Sequence, residues 1–420
     1  MKLKTLTALI GLSVASAVSA NNAINTSVND DYVVAGDYLQ ILVPATGLFA
    51  AWLHDDPQGA KQLALSVGAT QAIVHGAKNV VGRVRPNGNS TMSFPSGHTA
   101  AAFSGAAFLQ SRYGSAWGIP AYAAASFVGL SRMHGNRHYA DDVLAAAGIS
   151  FLVNQYLISP FQSENMAFTA APTKDGISFG VSLANDFFAK QSSREYQRRT
   201  SGPQPHRLEL DIGFNTSDSL KKAGLPGDNL VDEHQPFSSI NYFYEFDDGN
   251  FIELNLSPNE TRKYGQIDQG FSYGGQEYEK DEDVYLAFRQ WQVGGTYNWL
   301  FPINDKLNTS LGLGASGYLL EFDIDKNDGG KHAYESHLKF MPTVNGHVDY
   351  ALTDDIHAFA HAQYQQVKRD KVFLAEAGIN YELNKEWDIG LKYQYQDSEW
   401  KSLQMDYNTR SVVLSVANRF

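Results

Sequence analysis

The amino-acid sequence predicts a chain of two unlike parts, an N-terminal α-helical bundle followed by a C-terminal antiparallel transmembrane β-barrel. Three observations carry this. The chain has 420 residues, too many for one ordinary domain and enough for two. From about Gly36 to Pro160, apolar residues recur at helical spacing in Ala- and Leu-rich sequence. Beyond about Thr173 they alternate one for one with polar residues, the period of a strand. The expected boundaries are 1–20 for an export signal, 21–162 for the helical domain, 163–205 for a junction in which the first barrel strands could lie, and 206–420 for the barrel.

Met1 to Ala20 opens with Lys2 and Lys4, continues with an apolar run from Leu6 to Val14, and ends in the small residues Ala17-Val18-Ser19-Ala20. That is the pattern of an export signal, with cleavage after Ala17 or Ala20, so the mature chain is expected outside the cytoplasm. Helices follow near 37–53, 57–81, 98–112, 117–133 and 138–158. Pro44 predicts a kink or break in the first. None offers about 18 uninterrupted apolar residues, the usual requirement for crossing lipid. Tyr38 to Leu53 comes closest, but Gln40, Pro44 and Gly47 interrupt it. A soluble bundle at a membrane surface is therefore expected.

Strand alternation recurs in Leu208-Leu210-Ile212-Phe214, Ile240-Tyr242-Tyr244-Phe246, Trp291-Val293-Gly295-Tyr297-Trp299, Leu311-Leu313-Ala315-Gly317-Leu319 and Trp387-Ile389-Leu391-Tyr393-Tyr395. Many such segments, with aromatics near their ends, are the pattern of an outer-membrane barrel. Tight turns are expected at Asp247-Asp248-Gly249, Pro302 to Asp305, Thr353-Asp354-Asp355 and Asn384-Lys385, and long polar loops at about 258–282, 322–334 and 398–408. Short turns belong on the periplasmic side and long loops outside. The last strand, Ser411 to Phe420, ends on a phenylalanine that resembles the recognition signal of the outer-membrane assembly machinery. Counting back from it gives ten strands starting near His206. Ile177-Phe179-Val181-Leu183 adds one more alternation and, strand numbers being even, would pair with the polar stretch around 188–199. Twelve strands is the expectation and ten the alternative.

Composition excludes several chemistries. There are no cysteines, which removes disulfides, a lipid-modified N-terminal cysteine, cysteine-rich zinc sites and cysteine-nucleophile phosphatases. The net charge of -12 argues against a general nucleic-acid binder, whose footprint is basic. An anionic substrate stays open, because a few cations dominate a small cleft.

Three short stretches carry the chemistry: Lys78 with Arg85-Pro86, then Pro95-Ser96-Gly97-His98, then Ser131-Arg132 followed by His138 and Asp142. Lys78, Arg85 and Arg132 can neutralise phosphoryl oxygens, and two histidines can divide nucleophilic attack and leaving-group protonation. Ser96 and Gly97 precede an apolar helical run, whose N-terminal N–H groups and dipole favour a phosphate. His138 and Asp142 lie four apart at a helix start and share a face; an aspartate on one ring nitrogen leaves the other unprotonated.

In order and spacing these stretches resemble the three-part signature of the type 2 phosphatidic-acid phosphatase superfamily, which also holds bacterial nonspecific acid phosphatases, undecaprenyl-pyrophosphate phosphatases and vanadium haloperoxidases. The resemblance spans roughly 36–160 with every motif position filled. It implies His138 as nucleophile, Asp142 as its orienter and His98 as the acid, with Lys78, Arg85, Ser96, Gly97 and Arg132 binding phosphate. It further implies a phosphohistidine intermediate and no metal or other cofactor. Asp141 is the rival orienter. His75 and His134 read as structural, and Arg83 and Arg137 match no motif position.

The expectation is a metal-independent phosphatase of phosphate monoesters or pyrophosphates, in the outer membrane of a Gram-negative-type cell with its catalytic domain in the periplasm. Its expected partners are a lipid-linked or small phosphoester substrate, the outer membrane and the assembly machinery, and no nucleic acid. Phosphatidic acid, phosphatidylglycerol phosphate, undecaprenyl pyrophosphate and the lipid A phosphates are the lipid-linked candidates. The alternatives are a vanadium-dependent haloperoxidase and a non-enzymatic pore or adhesin. In the barrel, His347, Asp349, His357 and His361 fall on the lumen-facing register and read as lumen lining, with a second catalytic site as the alternative.

Overall fold

The computed structural model describes residues 27–159, 161, 166–173, 176–183 and 204–420, the last without 224, 226–229, 234 and 327–331. The expected export signal and the polar stretch around 188–199 lie outside the described residues. The chain divides into two compact units, the first reaching Gln204 and the second running from Pro205 to Phe420 apart from a few N-terminal residues.

Five helices build the first unit: α1 (Asp31–Leu53), α2 (Pro57–Val81), α3 (Gly97–Tyr113), α4 (Ser115–His134) and α5 (Ala140–Leu157). Their ends follow local chemistry. The Asp30 carboxylate accepts the Val33 N–H at the start of α1, and Asp56 accepts the Gly59 N–H at the start of α2, where Pro57 also fits the first turn. Gly82, at φ 63°, ends α2 in the left-handed region and turns the chain toward the site. Ser96 caps α3, and Gly114 divides α3 from α4.

The central helix is α3, packed against all four others. Its small residues let the neighbours approach: Ala100, Ala102, Ala106 and Ala107 are fully or almost fully buried, and Gly105 lies against Pro44 so closely that a Cβ there would sit 2.6 Å from the Pro44 nitrogen. The α1 helix runs unbroken through Pro44, against the expected break. By length and composition α1 is long and apolar enough to cross a membrane, although it holds no unbroken run of about 18 apolar residues. The two criteria differ because mean hydropathy tolerates isolated polar residues such as Gln40. Tyr38, Ile41, Leu42, Phe49 and Trp52 are exposed on this helix.

The buried Asp56 carboxylate ties α2 to the far end of α3. It receives Arg112 through Nε and Nη2, each at 2.7 Å, and the Tyr113 hydroxyl at 2.8 Å. Arg112 also donates to the Ser159 carbonyl at 2.6 Å, holding the end of the bundle.

After the helices, β1 (Met166–Thr173) and β2 (Gly176–Leu183) pair with each other as an antiparallel hairpin. The second unit is a closed barrel built from β3 (His206–Lys222), β4 (Val231–Glu233), β5 (Pro236–Glu245), β6 (Phe251–Gln266), β9 (Asp283–Asn304), β10 (Leu307–Lys326), β11 (His332–Ala351), β12 (Ile356–Val367), β13 (Asp370–Glu382), β14 (Trp387–Trp400) and β15 (Met405–Arg419). A small hairpin, β7 (Phe271–Tyr273) with β8 (Gln276–Tyr278), sits in the β6–β9 connection. Because β4 and β5 both pair with β6, they make a single stave, and the barrel has ten. Twelve is thus corrected to ten. Both edges of β3 are filled, by β15 and β5, so no edge remains for β1 and β2 to join.

The wall is inside out. Leu311, Leu313, Val344, Ile379, Leu391 and Leu414 are exposed, while Glu209, Asp211, Asn298, Asn345, Gln365 and Lys392 are buried. Apolar outside and polar inside selects a membrane barrel over a water-soluble sandwich. The lumen is not uniformly polar, however. Toward the long-strand ends it is filled by Tyr318, Leu320, Phe322, Phe288, Trp400 and Tyr407. The expected loops are shorter than read, since β6 continues to Gln266 and β14 to Trp400. At the seam, His206 and Phe420 exchange backbone hydrogen bonds and stack their rings.

Removing one charge from the Asp56 clamp while leaving Arg112 buried costs about 3–5 kcal/mol. Asp56→Asn should therefore lower the thermal transition of the helical unit, followed by circular dichroism at the helix signal, while heat-modifiable gel migration of the barrel stays as in the unaltered protein.

Candidate active site

The three sequence stretches meet where α3 begins. Lys78 is in the last turn of α2, Arg85 in the loop after Gly82, Ser96 to His98 at the head of α3, Arg132 in the last turn of α4, and His138 and Asp142 at the head of α5. The backbone draws them together, since Ser96 N–H donates to the Asp142 carbonyl at 3.0 Å. Lys78 lies along Gly97, with its Cε 3.9 Å from where a Cβ would stand. Its ammonium donates to the Met92 carbonyl at 2.8 Å. The Ser96 hydroxyl oxygen accepts from the Thr99 N–H and hydroxyl, which leaves its own O–H as a donor.

Asp142 is the hub. It is fully buried, and its Oδ2 lies 3.4 Å from His138 Nδ1 while accepting Ser93 Oγ–H at 2.5 Å and Tyr139 N–H at 2.8 Å. Its Oδ1 accepts Arg83 Nη1–H at 2.8 Å. Burial by itself would raise this carboxyl, but Arg83, His138 and Ser93 together hold it below the usual carboxylate range. As an ionised carboxylate only accepts, the His138 proton sits on Nδ1 and Nε2 keeps a lone pair. Burial pushes the His138 imidazole down to about 4, and the charges of Lys78 and Arg85 add to this against the pull of Asp142. His138 is therefore neutral at neutral pH.

Asp142 is the carboxylate that faces His138 Nδ1, at 3.4 Å, while Asp141 accepts from Arg83 Nη1 at 2.7 Å. Arg83, which matched no motif, is buried, bridges both aspartates and lies over the Tyr139 ring at 4.1 Å. Only its position two residues before Arg85 was legible, and that spacing carries no signal.

On the other side, Arg132 is fully buried and donates to the Asp37 carboxylate at 2.5 Å and the Val33 carbonyl at 2.7 Å. Gly36 permits this approach, since a Cβ there would lie 1.9 Å from Ser131 Oγ. Asp37 also faces His98 Nε2 at 3.2 Å and Arg137 Nη1 at 3.6 Å. Neither Asp37 nor Arg137 was found from the sequence, because Asp37 is brought in from α1 and Arg137 sits outside the motif spacing. Burial, then the charge of Arg132, push His98 down to about 4, with Asp37 opposing. Burial lowers the Lys78 ammonium to about 8; Asp142 opposes this and Arg85 adds to it. Burial also lowers Arg85 and Arg132, and Arg137 repels both. Cations held this close favour an anion among them. His75 is exposed, and His134 pairs with Asp30 at 2.8 Å at the surface.

Residues 59–164 match the profile of the PAP2 superfamily, and residues 339–420 match the one described as "Putative beta-barrel porin 2". The chain thus carries a PAP2 superfamily domain followed by a β-barrel porin domain. It is 41% identical to the lipid A 1-phosphatase of Porphyromonas gingivalis over 95 residues, 22% of this chain and 21% of that protein. It is 30% identical to the lipid A 4'-phosphatase of Helicobacter pylori over 114 residues, 24% of this chain and 57% of that protein. The chain therefore spans less than two thirds of either relative's length. Among solved structures, Aquifex aeolicus LpxE aligns with 36% of this chain and 92% of its own at 22% identity and a TM-score of 0.27. The translocator domain of the autotransporter NalP from Neisseria meningitidis aligns with 56% and 98% at 13% identity and a TM-score of 0.33.

A site that gathers Lys78, Arg85 and Arg132 around the head of α3 should be stabilised by oxyanions. Vanadate at about 100 times its dissociation constant should stabilise the helical unit by about 2.7 kcal/mol, seen as a raised thermal transition. Arg85→Ala should remove most of that shift, and an equal shift in the variant would contradict the assignment of this pocket.

Proposed function

We propose that the helical unit is a metal-independent phosphatase acting on phosphate monoesters carried by lipid, through a phosphohistidine on His138. The observation that carries this is a buried imidazole with Asp142 on its Nδ1, held beside the charges of Lys78 and Arg85 and the segment that caps a helix N-terminus. The two curated relatives, both lipid A phosphatases, favour the phosphates of lipid A as substrate. The exposed apolar face of α1 is consistent with a substrate drawn from lipid. The barrel supports an address in the outer membrane, and the catalytic unit then works on the periplasmic side.

The phosphoryl group enters among Lys78, Arg85, Arg132 and the first N–H groups of α3, with Ser96 O–H as a further donor. These groups hold the charge that spreads over the equatorial oxygens in the transition state. His138 Nε2 attacks phosphorus in line, and the new N–P bond forms as the P–O bond to the leaving group breaks. Asp142 stabilises the imidazolium that results. His98, brought to its charged form by the phosphate beside it, gives its proton to the leaving oxygen. It then takes a proton from water as that water attacks phosphorus, the N–P bond breaks, and inorganic phosphate leaves. Asp37 positions His98 and faces Arg132, so it is a positioning residue.

Three outcomes test this reading on the detergent-purified protein with a phosphorylated lipid A substrate. His138→Ala should lower kcat by several orders of magnitude with the fold intact, whereas activity within about tenfold of the unaltered enzyme, a difference of ~1.4 kcal/mol, would contradict it. Phosphate release should continue in excess chelator, and recovery only on adding zinc or magnesium would point to a metal mechanism. Lys78 supplies a pH signature, because its charge is lost as pH rises through about 8. The ratio of kcat/KM for the unaltered enzyme to that for Lys78→Arg should be constant below that pH and fall about tenfold per unit above it, substrate ionisation cancelling. A flat ratio would remove Lys78 from phosphate binding.

A further inference from the structure

We infer that the barrel lumen holds one divalent transition-metal ion, of the zinc class, on Glu253, His347 and His361. These three residues come from β6, β11 and β12, and one ligand atom from each lies within 4.8 Å of the others. His347 and His361 are direct cross-strand partners, with rings stacked at 4.1 Å and 4°. Glu253 reaches them from β6, its Oε2 3.2 Å from His347 Nε2 and 3.2 Å from Asn345 Nδ2. Gly312 on β10 leaves room for Asn345 beside this group: a Cβ there would lie 1.9 Å from Asn345 Oδ1 and 2.1 Å from Asn298 Oδ1.

A second observation points independently to a ligand. His361 is only 7% exposed, yet its Nε2 has no hydrogen-bond partner. Its Nδ1 faces Glu376 Oε2 at 3.3 Å, and Glu376 is itself fixed by Lys392 Nζ at 3.5 Å. A carboxylate on Nδ1 keeps the proton there and turns the lone pair of Nε2 outward, as in metal-ligating histidines oriented by an outer carboxylate. Asn345 Oδ1, also buried, lacks a partner as well and borders the same cluster. A buried nitrogen and a buried oxygen left unbonded beside a carboxylate are costly without an occupant. Two imidazoles and one carboxylate suit zinc and its neighbours, whereas calcium and magnesium take all-oxygen sets. Bonds of about 2.0–2.2 Å set tetrahedral ligand atoms roughly 3.4 Å apart, so side-chain rotation closes the site around the ion.

The test uses the full-length protein, purified in detergent without a histidine tag, stripped with chelator and titrated with zinc and cobalt by calorimetry. One equivalent of each should bind. His361→Gln and Glu253→Gln should abolish binding, and Glu376→Gln should weaken it about 10–100-fold. His357→Gln, which removes the histidine paired with Asp349 at 3.0 Å, should leave binding unchanged. Heat-modifiable migration reports whether each variant barrel is folded. If the ligand variants do not fold, X-ray absorption at the zinc edge of the loaded unaltered protein decides, since the site requires two imidazole ligands. Absence of binding, binding retained in folded His361→Gln, or a zinc spectrum without imidazole would each overturn the inference. None of these readouts uses phosphate release, so the result stands apart from the phosphatase reading.

Discussion

The arrangement of the candidate site depends on one buried carboxylate. Asp142 collects a guanidinium, a hydroxyl, a backbone N–H and an imidazole around its two oxygens, while its own carbonyl holds the first residue of the Ser96-Gly97-His98 turn. Burying an ionised carboxylate is unfavourable unless every lone pair is met. The loop from Arg83 to Ser93, the head of α3 and the head of α5 are therefore fixed to one another by the need to satisfy a single group. Orientation of His138 follows from that, since its Nδ1 faces the same fixed Oδ2 at 3.4 Å.

The opposite wall is governed by charge of the other sign. Burial alone would favour loss of charge on Lys78, Arg85 and Arg132, and the charges of Arg85 on Lys78 and of Arg137 on Arg85 and Arg132 add repulsion. Asp37 compensates part of this from α1, lying against Arg132, Arg137 and His98. In the proposed function a phosphoryl group supplies the rest on binding, so that substrate affinity and relief of repulsion are one interaction, and a chain of net charge -12 can hold a local anion site.

Much of the helical unit was legible because its ends are written locally. Asp56-Pro57, Gly82, Ser96-Gly97 and Gly114 mark boundaries through caps and backbone freedom, and four helices fall close to where the periodicity put them, while α1 begins earlier, at Asp31. Residues that act through tertiary contact were not legible. Arg83, Asp37 and Glu253 carry no spacing relation to their partners, and only the packing of separate elements brings them in. The strand count failed for a related reason. Alternation reports which face of a strand is apolar, but Ile177 to Leu183 alternates equally regularly in sequence and belongs to a separate two-stranded sheet, and pairing is decided by which edges remain open. The apolar filling of one end of the lumen was missed because Tyr318, Leu320, Phe322 and Ile324 occupy the register that elsewhere carries polar residues.

The covalent role of His138 is the claim on which the account turns, and rapid quenching during turnover of a substrate labelled in its phosphate tests it most directly. The predicted result is an acid-labile, base-stable label on the protein, mapped by mass spectrometry to the peptide carrying His138 and lost in His138→Ala. Turnover with no protein-bound phosphate at any quench time, or a label mapped to a different residue, would contradict it.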